Sequence, residues 1–310
     1  MANAKYRKAN PSVMELVGIG HALYDIRCYI DEFPQPDKTS FIKGHFRHNP
    51  GGSATNVVFN CAQLGLKAAL IAKVGFDTQG RYITEKLGRV ADVSGVKIDK
   101  KNPTGVSLVL INKEGQPEVV EMIGANATLT PKDLDLALLD SARNLHITGT
   151  NLNTLEYAVR HTGAMISFDP GRSISRLGWQ KLKKVLDHTD LLVVNRTEIE
   201  ELGGEEEIRA NFDLTLIIKG KPVVAYPAKG KKIVVKPPII KARDTIGAGD
   251  AFVSGVLSKL CRNNSCDTAN LEKAIKYGTA LAAYKIERQG AEVAFTKAKI
   301  DSYAKKLTLA

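Results

Sequence analysis

Six short apolar runs, each closed by Gly, Pro or Asn, constrain this chain more than any other feature. They are MELVGIG (14–20), AALIAKVG (68–75), NLHITG (144–149), AMISFDP (164–170), DLLVVN (190–195) and LTLIIKG (214–220). Each reads as a strand buried on both faces, because a strand with one wet face would alternate polar and apolar residues. Helical periods such as ATNVVFNCAQLG and SRLGWQKLKKVLD lie between several of them. Strands alternating with helices predict βαβ units, an α/β chain with a mainly parallel sheet. In such sheets the loops at the carboxyl ends of the strands carry the ligand chemistry.

Two segments break the rhythm. Residues 25–49, DIRCYIDEFPQPDKTSFIKGHFRHN, have strand-like halves around a Pro-punctuated turn. Residues 104–124 read as a second hairpin, TGVSLVLIN followed by EGQPEVVEMIG. Together they predict a small β-sheet projecting from the main body, either a flap over a site or plain edge strands. TKAKIDSYAKKL near the C-terminus reads as a surface helix.

Composition excludes several classes. A 44% hydrophobic and 25% charged chain is ordinary for a soluble globular protein. No apolar run approaches the roughly 18 residues that a membrane span needs. The start, MANAKYRKANPS, lacks the apolar core of a signal peptide, so a cytoplasmic address is expected. Cys28, Cys61, Cys261 and Cys266 form no CxxC pair and read as idle or buried thiols. His45 and His48 read as surface residues. The net charge of +11 would attract a polyanion. The lysine-rich 219–243 stretch carries neither interleaved aromatics nor a nucleic-acid motif, so a solvated face or steering of an anionic small molecule is expected.

Four stretches carry chemistry. In DTIGAGDAF (244–252), Gly247, Ala248 and Gly249 allow close backbone approach, and the apolar period from Ala251 to Leu260 predicts a helix start. A helix N-terminus offers unpaired N–H groups and the positive end of a dipole to an oxyanion. Asp250 beside such a site can accept a proton from a hydroxyl that attacks phosphorus, or it can simply be an Asp favoured by the dipole. In GGSATN (51–56) a glycine pair precedes a helix from about Ala54 to Leu64. Asn56 there can aim an amide at ligand hydroxyls, and Ser53 reads as an N-cap. Asp25 follows the first strand and can accept hydrogen bonds from a polyol, or be an ordinary loop aspartate. In VVNRTEIEEL, Asn195 and Glu198 suit a water-mediated magnesium shell, or Thr197 caps a glutamate-rich helix.

In this order the four stretches resemble the ribokinase-like (PfkB) carbohydrate kinase family, over about Glu15 to Ala294. DTIGAGDAF resembles the family's C-terminal signature and GGSATN its N-terminal one. EFPQPDKT is similar to its lid segment, and VGFDTQG, GANATLTPKDL, FDPGR and NRTEIEEL to its intervening motifs. The resemblance implies one ribokinase-like domain over 1–310. Its three-layer α/β/α body would have a mainly parallel sheet and a small β-sheet lid at about 25–49 and 104–124. It implies transfer of the γ-phosphoryl group of ATP to a hydroxyl, usually a hydroxymethyl, of a small sugar or a nucleoside.

Carried over residue by residue, Asp250 is the implied base and the 247–249 backbone the implied anion hole. Asp25, Gly51, Gly52 and Asn56 fall at acceptor-binding positions. Asn195 and Glu198 match the motif for magnesium and phosphates, and Lys219 and Gly220 fall on the nucleotide side. Asp244 and Gly290 match positions near the potassium site of cation-activated members. A homodimer through the lid is also implied. Where many members have a glycine-rich nucleotide loop, this chain reads Lys221-Pro222-Val223, and LGGEEEIRAN is short for the family's helix.

A nucleoside would need a stacking wall, for which Tyr24, Tyr29, Phe33 and Phe41 are candidates; the acceptor expected here is a sugar. A non-catalytic binding regulator on the same fold is disfavoured because Asp250 is present. A P-loop is absent, and GIGHAL lacks the third glycine of a dinucleotide fingerprint.

Overall fold

The six apolar runs all become strands. The computed structural model describes residues 13–241, 243–263, 267–288, 296–305 and 307. Within them the strands are β1 Leu16–Ile19, β2 Leu23–Tyr29, β3 Arg47–Gly51, β4 Ala68–Gly75, β5 Val96–Asp99, β6 Gly105–Ile111 and β7 Pro117–Met122. They continue with β8 Asn144–Thr148, β9 Met165–Asp169, β10 Leu191–Asn195, β11 Thr215–Lys219, β12 Val223–Tyr226 and β13 Ile233–Val235. One sheet has the order β13-β12-β11-β10-β9-β8-β1-β4-β5, and a second the order β3-β2-β6-β7. From β11 to β5 the large sheet is parallel, and β12 and β13 add an antiparallel edge.

Successive strand residues feed two separate cores, which explains the unbroken apolar runs. Leu16, Leu70, Val193 and Ile217 pack on one face with the helices Ser53–Gln63, Ala248–Asn263 and Thr268–Ile286. Val17, Ile71, Leu192 and Leu216 pack on the other with Leu152–Arg160 and Gly178–Leu186. A strand of period two buried between two helical layers has no wet face to pattern. Each fully buried Leu or Ile contributes about 1.5–3 kcal/mol, so these layers rather than surface ion pairs hold the body together. Among the described residues no helix is long and apolar enough to cross a membrane.

One contact between helices positions the site. A Cβ on Gly255 would lie 2.6 Å from Gly278 Cα. Glycine against glycine lets the Ala248–Asn263 and Thr268–Ile286 helices approach at backbone distance, which brings the end of the second beneath the start of the first.

The four-stranded sheet is the predicted projection. β2 and β6 pair in parallel at its centre, with β3 and β7 antiparallel at its edges. Two polar joints tie it to the body. Asp77 caps the helix Thr78–Leu87 through Gly80 N–H at 2.8 Å, and accepts from the Thr104 N–H and hydroxyl at 2.7 and 2.6 Å. A Cβ on Gly75 or Gly80 would strike this joint. Asn126 grips Ala22 from both sides, accepting from its N–H at 2.8 Å and donating to its carbonyl at 2.9 Å. VGFDTQG and GANAT therefore supply the joints that fasten the projecting sheet to the body, the first at Thr104 just before β6 and the second at Ala22 just before β2.

Candidate active site

The helix carrying Asp250 begins at Ala248, earlier than its apolar period indicates, so Gly249 and Asp250 lie in its first turn. Gly247 has φ +76°, a left-handed conformation that turns the chain sharply out of the 244–246 segment. Ala248 N–H donates to Thr245 O at 3.2 Å and closes that turn. Asp250 is partly buried, and Asn56 Nδ2 donates to its Oδ2 at 2.7 Å. Burial raises the Asp250 pKa; the Asn56 hydrogen bond opposes this, the Asp169 charge adds to it and the Lys219 charge subtracts.

Asn56 lies in the first turn of Ser53–Gln63. Ser53 is not the cap of this helix: the N-cap is Gly52, with no side-chain hydrogen bond. Both glycines of the pair are sterically required by the protein itself. A Cβ on Gly51 would lie 1.9 Å from Asp25 Oδ1, and one on Gly52 (φ +89°) 2.4 Å from His21 O. The absent side chains make room for the Asp25 carboxylate and the His21 carbonyl.

Asp25 sits on β2 in a polar cross-strand row. The register places Asn49 of β3 and Ser107 of β6 beside it, and Glu121 of β7 beside Ser107. Residues in one register row point to one face of a sheet, so four polar groups line the inner face of the projection. Burial pushes the Asp25 pKa up to about 6, against the pull of Arg27 and with added repulsion from Glu121 and Asp250.

Two residues further along β2, fully buried Arg27 joins this row to the 244–250 segment. Its Nη2 lies 3.4 Å from Asp25 Oδ2 and its Nη1 3.2 Å from Asp244 Oδ2. Asp244 is also fully buried. It accepts from Tyr29 OH at 3.4 Å and Ile246 N–H at 3.0 Å, and Lys285 Nζ lies 3.5 Å from its Oδ1. Burial lowers the Lys285 pKa to about 8, against the pull of Asp244.

A second charged cluster lies at the carboxyl ends of the central strands. Asn195, which ends β10, is in register with Lys219, which ends β11. Asn195 is the N-cap of Arg196–Glu201 in a reciprocal capping box: Oδ1 accepts from Glu198 N–H at 2.9 Å, and Glu198 Oε2 from Asn195 N–H at 2.8 Å. Thr197 is therefore not the cap. Burial raises the pKa of Glu198. Lys219 Nζ donates to Asp169 Oδ2 at 2.6 Å and lies 4.0 Å from Glu198 Oε2. Burial disfavours its ammonium, but Asp169 and Glu198 outweigh burial and raise the pKa. A Cβ on Gly249 would lie 3.7 Å from Lys219 Nζ, so this cation faces the first turn carrying Asp250.

The predicted residues thus gather into two adjoining groups, Asp25, Gly51, Gly52, Asn56 and Asp250 in one, and Asn195, Glu198 and Lys219 in the other. Gly220 follows Lys219 as an exposed turn residue. Gly290, Cys266 and part of the C-terminal segment lie outside the described residues, while Cys28, Cys61 and Cys261 are buried. Sequence reasoning assigned no role to Arg27, Asp169 or Lys285. Asp169 had a signal, its place in FDPGR at a strand end; the two cations had none beyond their charge.

This arrangement coincides with a family match. The model for the "pfkB family carbohydrate kinase" matches residues 14–298. The chain belongs to the PfkB family of carbohydrate kinases. It is an ATP-dependent phosphotransferase of the sugar and nucleoside kinase class. An ATP-dependent ribose-1-phosphate kinase of Halopiger xanaduensis is 29% identical over 92% of this chain and 96% of its own length. A nucleoside kinase of Methanothermobacter thermautotrophicus is 27% identical over 90% and 91%. Among solved structures, the ribokinase of Thermotoga maritima superposes with a TM-score of 0.80 at 23% identity, over 94% of this chain and all of that one, which establishes the ribokinase fold. The four-stranded sheet corresponds to the lid of this fold.

Proposed function

We propose that this PfkB kinase transfers the γ-phosphoryl group of ATP to a hydroxymethyl hydroxyl of a small sugar, with Asp250 as general base. The observation that carries the reading is the 2.7 Å hydrogen bond from Asn56 to Asp250, at a helix N-terminus flanked by the Lys219 ammonium. A raised pKa suits a carboxylate that must take a proton as the new bond to phosphorus forms. Asn56 orients that carboxylate toward the acceptor hydroxyl. Since the Ala248 N–H is engaged by Thr245, the anion hole rests on Gly247 and Gly249, with Lys219 adding a full positive charge.

The polar row Asn49–Asp25–Ser107–Glu121 supports a polyol acceptor. Of the four candidates for a base-stacking wall, two are engaged elsewhere: Tyr24 with His48 and Tyr82, with ring centroids at 5.6 and 5.4 Å, and Tyr29, which donates to Asp244. The chain acts as one kinase unit in the cytoplasm, its lid closing over the acceptor to exclude competing water. Leu108, Val120 and Met122 are exposed on the outer lid face, where a second copy of the chain would dock.

Magnesium fits the donor chemistry beside Lys219. Asp169 and Glu198 present hard carboxylate oxygens, and this ion needs only one or two of them besides phosphates and water. Bound with ATP, it neutralises charge on the phosphate oxygens. Asn195 serves by holding Glu198 in place through the capping box. The potassium role implied for Asp244 forms no part of this proposal, because Arg27 and Lys285 already carry its counter-charge.

The test is a coupled ADP-release assay with MgATP across pentoses, hexoses, keto-sugar acids, ribose 1-phosphate and nucleosides. Turnover on one or more sugars is expected. Turnover confined to nucleosides would replace the sugar reading, and measurable binding with no turnover would favour the regulator.

A further inference from the structure

Asp244 and the loop that follows it are held by a cation belonging to the chain. Lys285 Nζ donates to the Asp244 main-chain carbonyl at 3.2 Å and lies 3.5 Å from its carboxylate Oδ1. A carbonyl oxygen and a carboxylate oxygen on one residue are the hard oxygen donors that an alkali cation takes, and here an ammonium spans both. Lys285 is 2% exposed, and Asp244 and Arg27 are fully buried. Arg27 and Lys285 face Asp25 and Asp244, so two positive charges already balance two negative ones. A further cation in this dry space would add an uncompensated charge or evict the ammonium, and uncompensated buried charge is expensive.

The same lysine lies under the catalytic loop. A Cβ on Gly247 would be 3.8 Å from Lys285 Cε, so the lysine stem runs against the glycine of the proposed anion hole. Arg243 N–H and Asp244 N–H donate to Ile286 O at 2.7 and 3.3 Å, anchoring the loop to the residue after Lys285. The Gly255–Gly278 contact brings the two helices close enough for this reach.

We infer that Lys285 is a tethered replacement for a monovalent cation, a positioning residue that fixes the 244–249 loop and makes this kinase independent of potassium. The functional part of this inference rests on the phosphotransfer reading above; the cation-binding part does not.

The experiment compares wild type with Lys285→Ala and the volume-preserving Lys285→Met, in potassium chloride and in tetramethylammonium chloride at equal ionic strength. Wild type should show the same turnover in both salts and the same melting temperature by calorimetry. Lys285→Ala should lose about 10²-fold in turnover in tetramethylammonium, the size of effect that a slightly misplaced reacting group produces. Potassium or ammonium should restore much of that loss and raise the variant's melting temperature, while Lys285→Met, whose side chain fills the space, should gain little from either. A wild type that requires potassium, or is stabilised by it, would overturn the inference, as would a folded Lys285→Ala variant with undiminished turnover. Should Lys285→Ala not fold, the wild-type comparison alone decides against the inference or sustains it. Failure of wild type on every acceptor would count against the phosphotransfer reading, while the melting comparison would still decide the question of the cation.

Discussion

Asn56 Nδ2 and Asp250 Oδ2 meet at 2.7 Å across 194 residues of chain. Each stands in the first turn of its own helix, and the two helices pack against the same face of the large sheet. The bond couples the acceptor-side motif to the proposed base. It also favours the charged carboxylate, partly offsetting the burial that raises its pKa.

Asp250→Asn should lower kcat by about 10²–10⁴-fold, the usual contribution of a positioned general base. The amide nearly matches the carboxylate in shape, so acceptor and ATP should still bind with near wild-type affinity. Steady-state kinetics with calorimetric binding would test this; full turnover in the variant would remove Asp250 from the role of base.

The pH dependence separates the two buried aspartates. As the proposed base, Asp250 must be ionised to accept a proton, and its raised pKa should make kcat fall on the acid side at a higher pH than an ordinary carboxylate would give. Asp25 titrates near 6 and must be ionised to accept hydrogen bonds from a polyol, so acceptor KM should rise as the pH drops through about 6. Asn56→Ala removes a hydrogen bond to the charged Asp250 and should move the acid limb of kcat upward. A limb that stayed put or moved down would show that Asn56 does not tune the base.

How much of this was legible in the sequence depended on the range of the forces involved. Asp250 and Asn56 were readable because their signals are local: glycines, then a helix start, then a polar side chain in the first turn. The strands were readable because two-sided burial writes a continuous apolar run. The NRTE stretch was visible but ambiguous; asparagine three residues before glutamate is also a capping-box signature, and in the fold that box forms. Arg27 and Lys285 were illegible because their meaning lies in partners 217 and 41 residues away. An arginine on a strand and a lysine on a long helix look like surface residues until the chain folds back on itself.

Lys219→Met should lower kcat by roughly 10²–10³-fold with a smaller change in acceptor KM, comparable to deleting a transition-state charge donor. Its ammonium is held between Asp169 and Glu198 and faces the first turn at Gly249, the proposed anion hole, where charge would develop only during transfer. Lys219→Arg would keep the charge but not its position, since the 2.6 Å contact to Asp169 leaves little space for a planar fork. A methionine variant with unchanged kcat and a raised ATP KM would assign Lys219 to ground-state binding instead.

Arg27→Met tests whether the buried ion cluster holds the lid against the body. Arg27 touches Asp25 on the lid and Asp244 before the helix that carries Asp250, and water reaches neither Arg27 nor Asp244. Removing one partner from a buried pair usually destabilises by about 3–5 kcal/mol, because the remaining carboxylate keeps its desolvation penalty without compensation. Lys285 still faces Asp244 in the variant, so the loss should fall toward the lower end of that range and centre on Asp25. Arg27 is a restraint on the raised Asp25 pKa, so its removal should push that pKa further above 6 and carry the rise in acceptor KM to higher pH. A group whose folded pKa lies above its unfolded value favours folding below the unfolded pKa, and that advantage is lost as the pH rises through the folded pKa. The variant's deficit relative to wild type should therefore be smaller at pH 5, where more of Asp25 is protonated, than at pH 8. Urea denaturation at both values measures this, and an equal deficit at both would mean that Arg27 acts through packing rather than through its charge on Asp25.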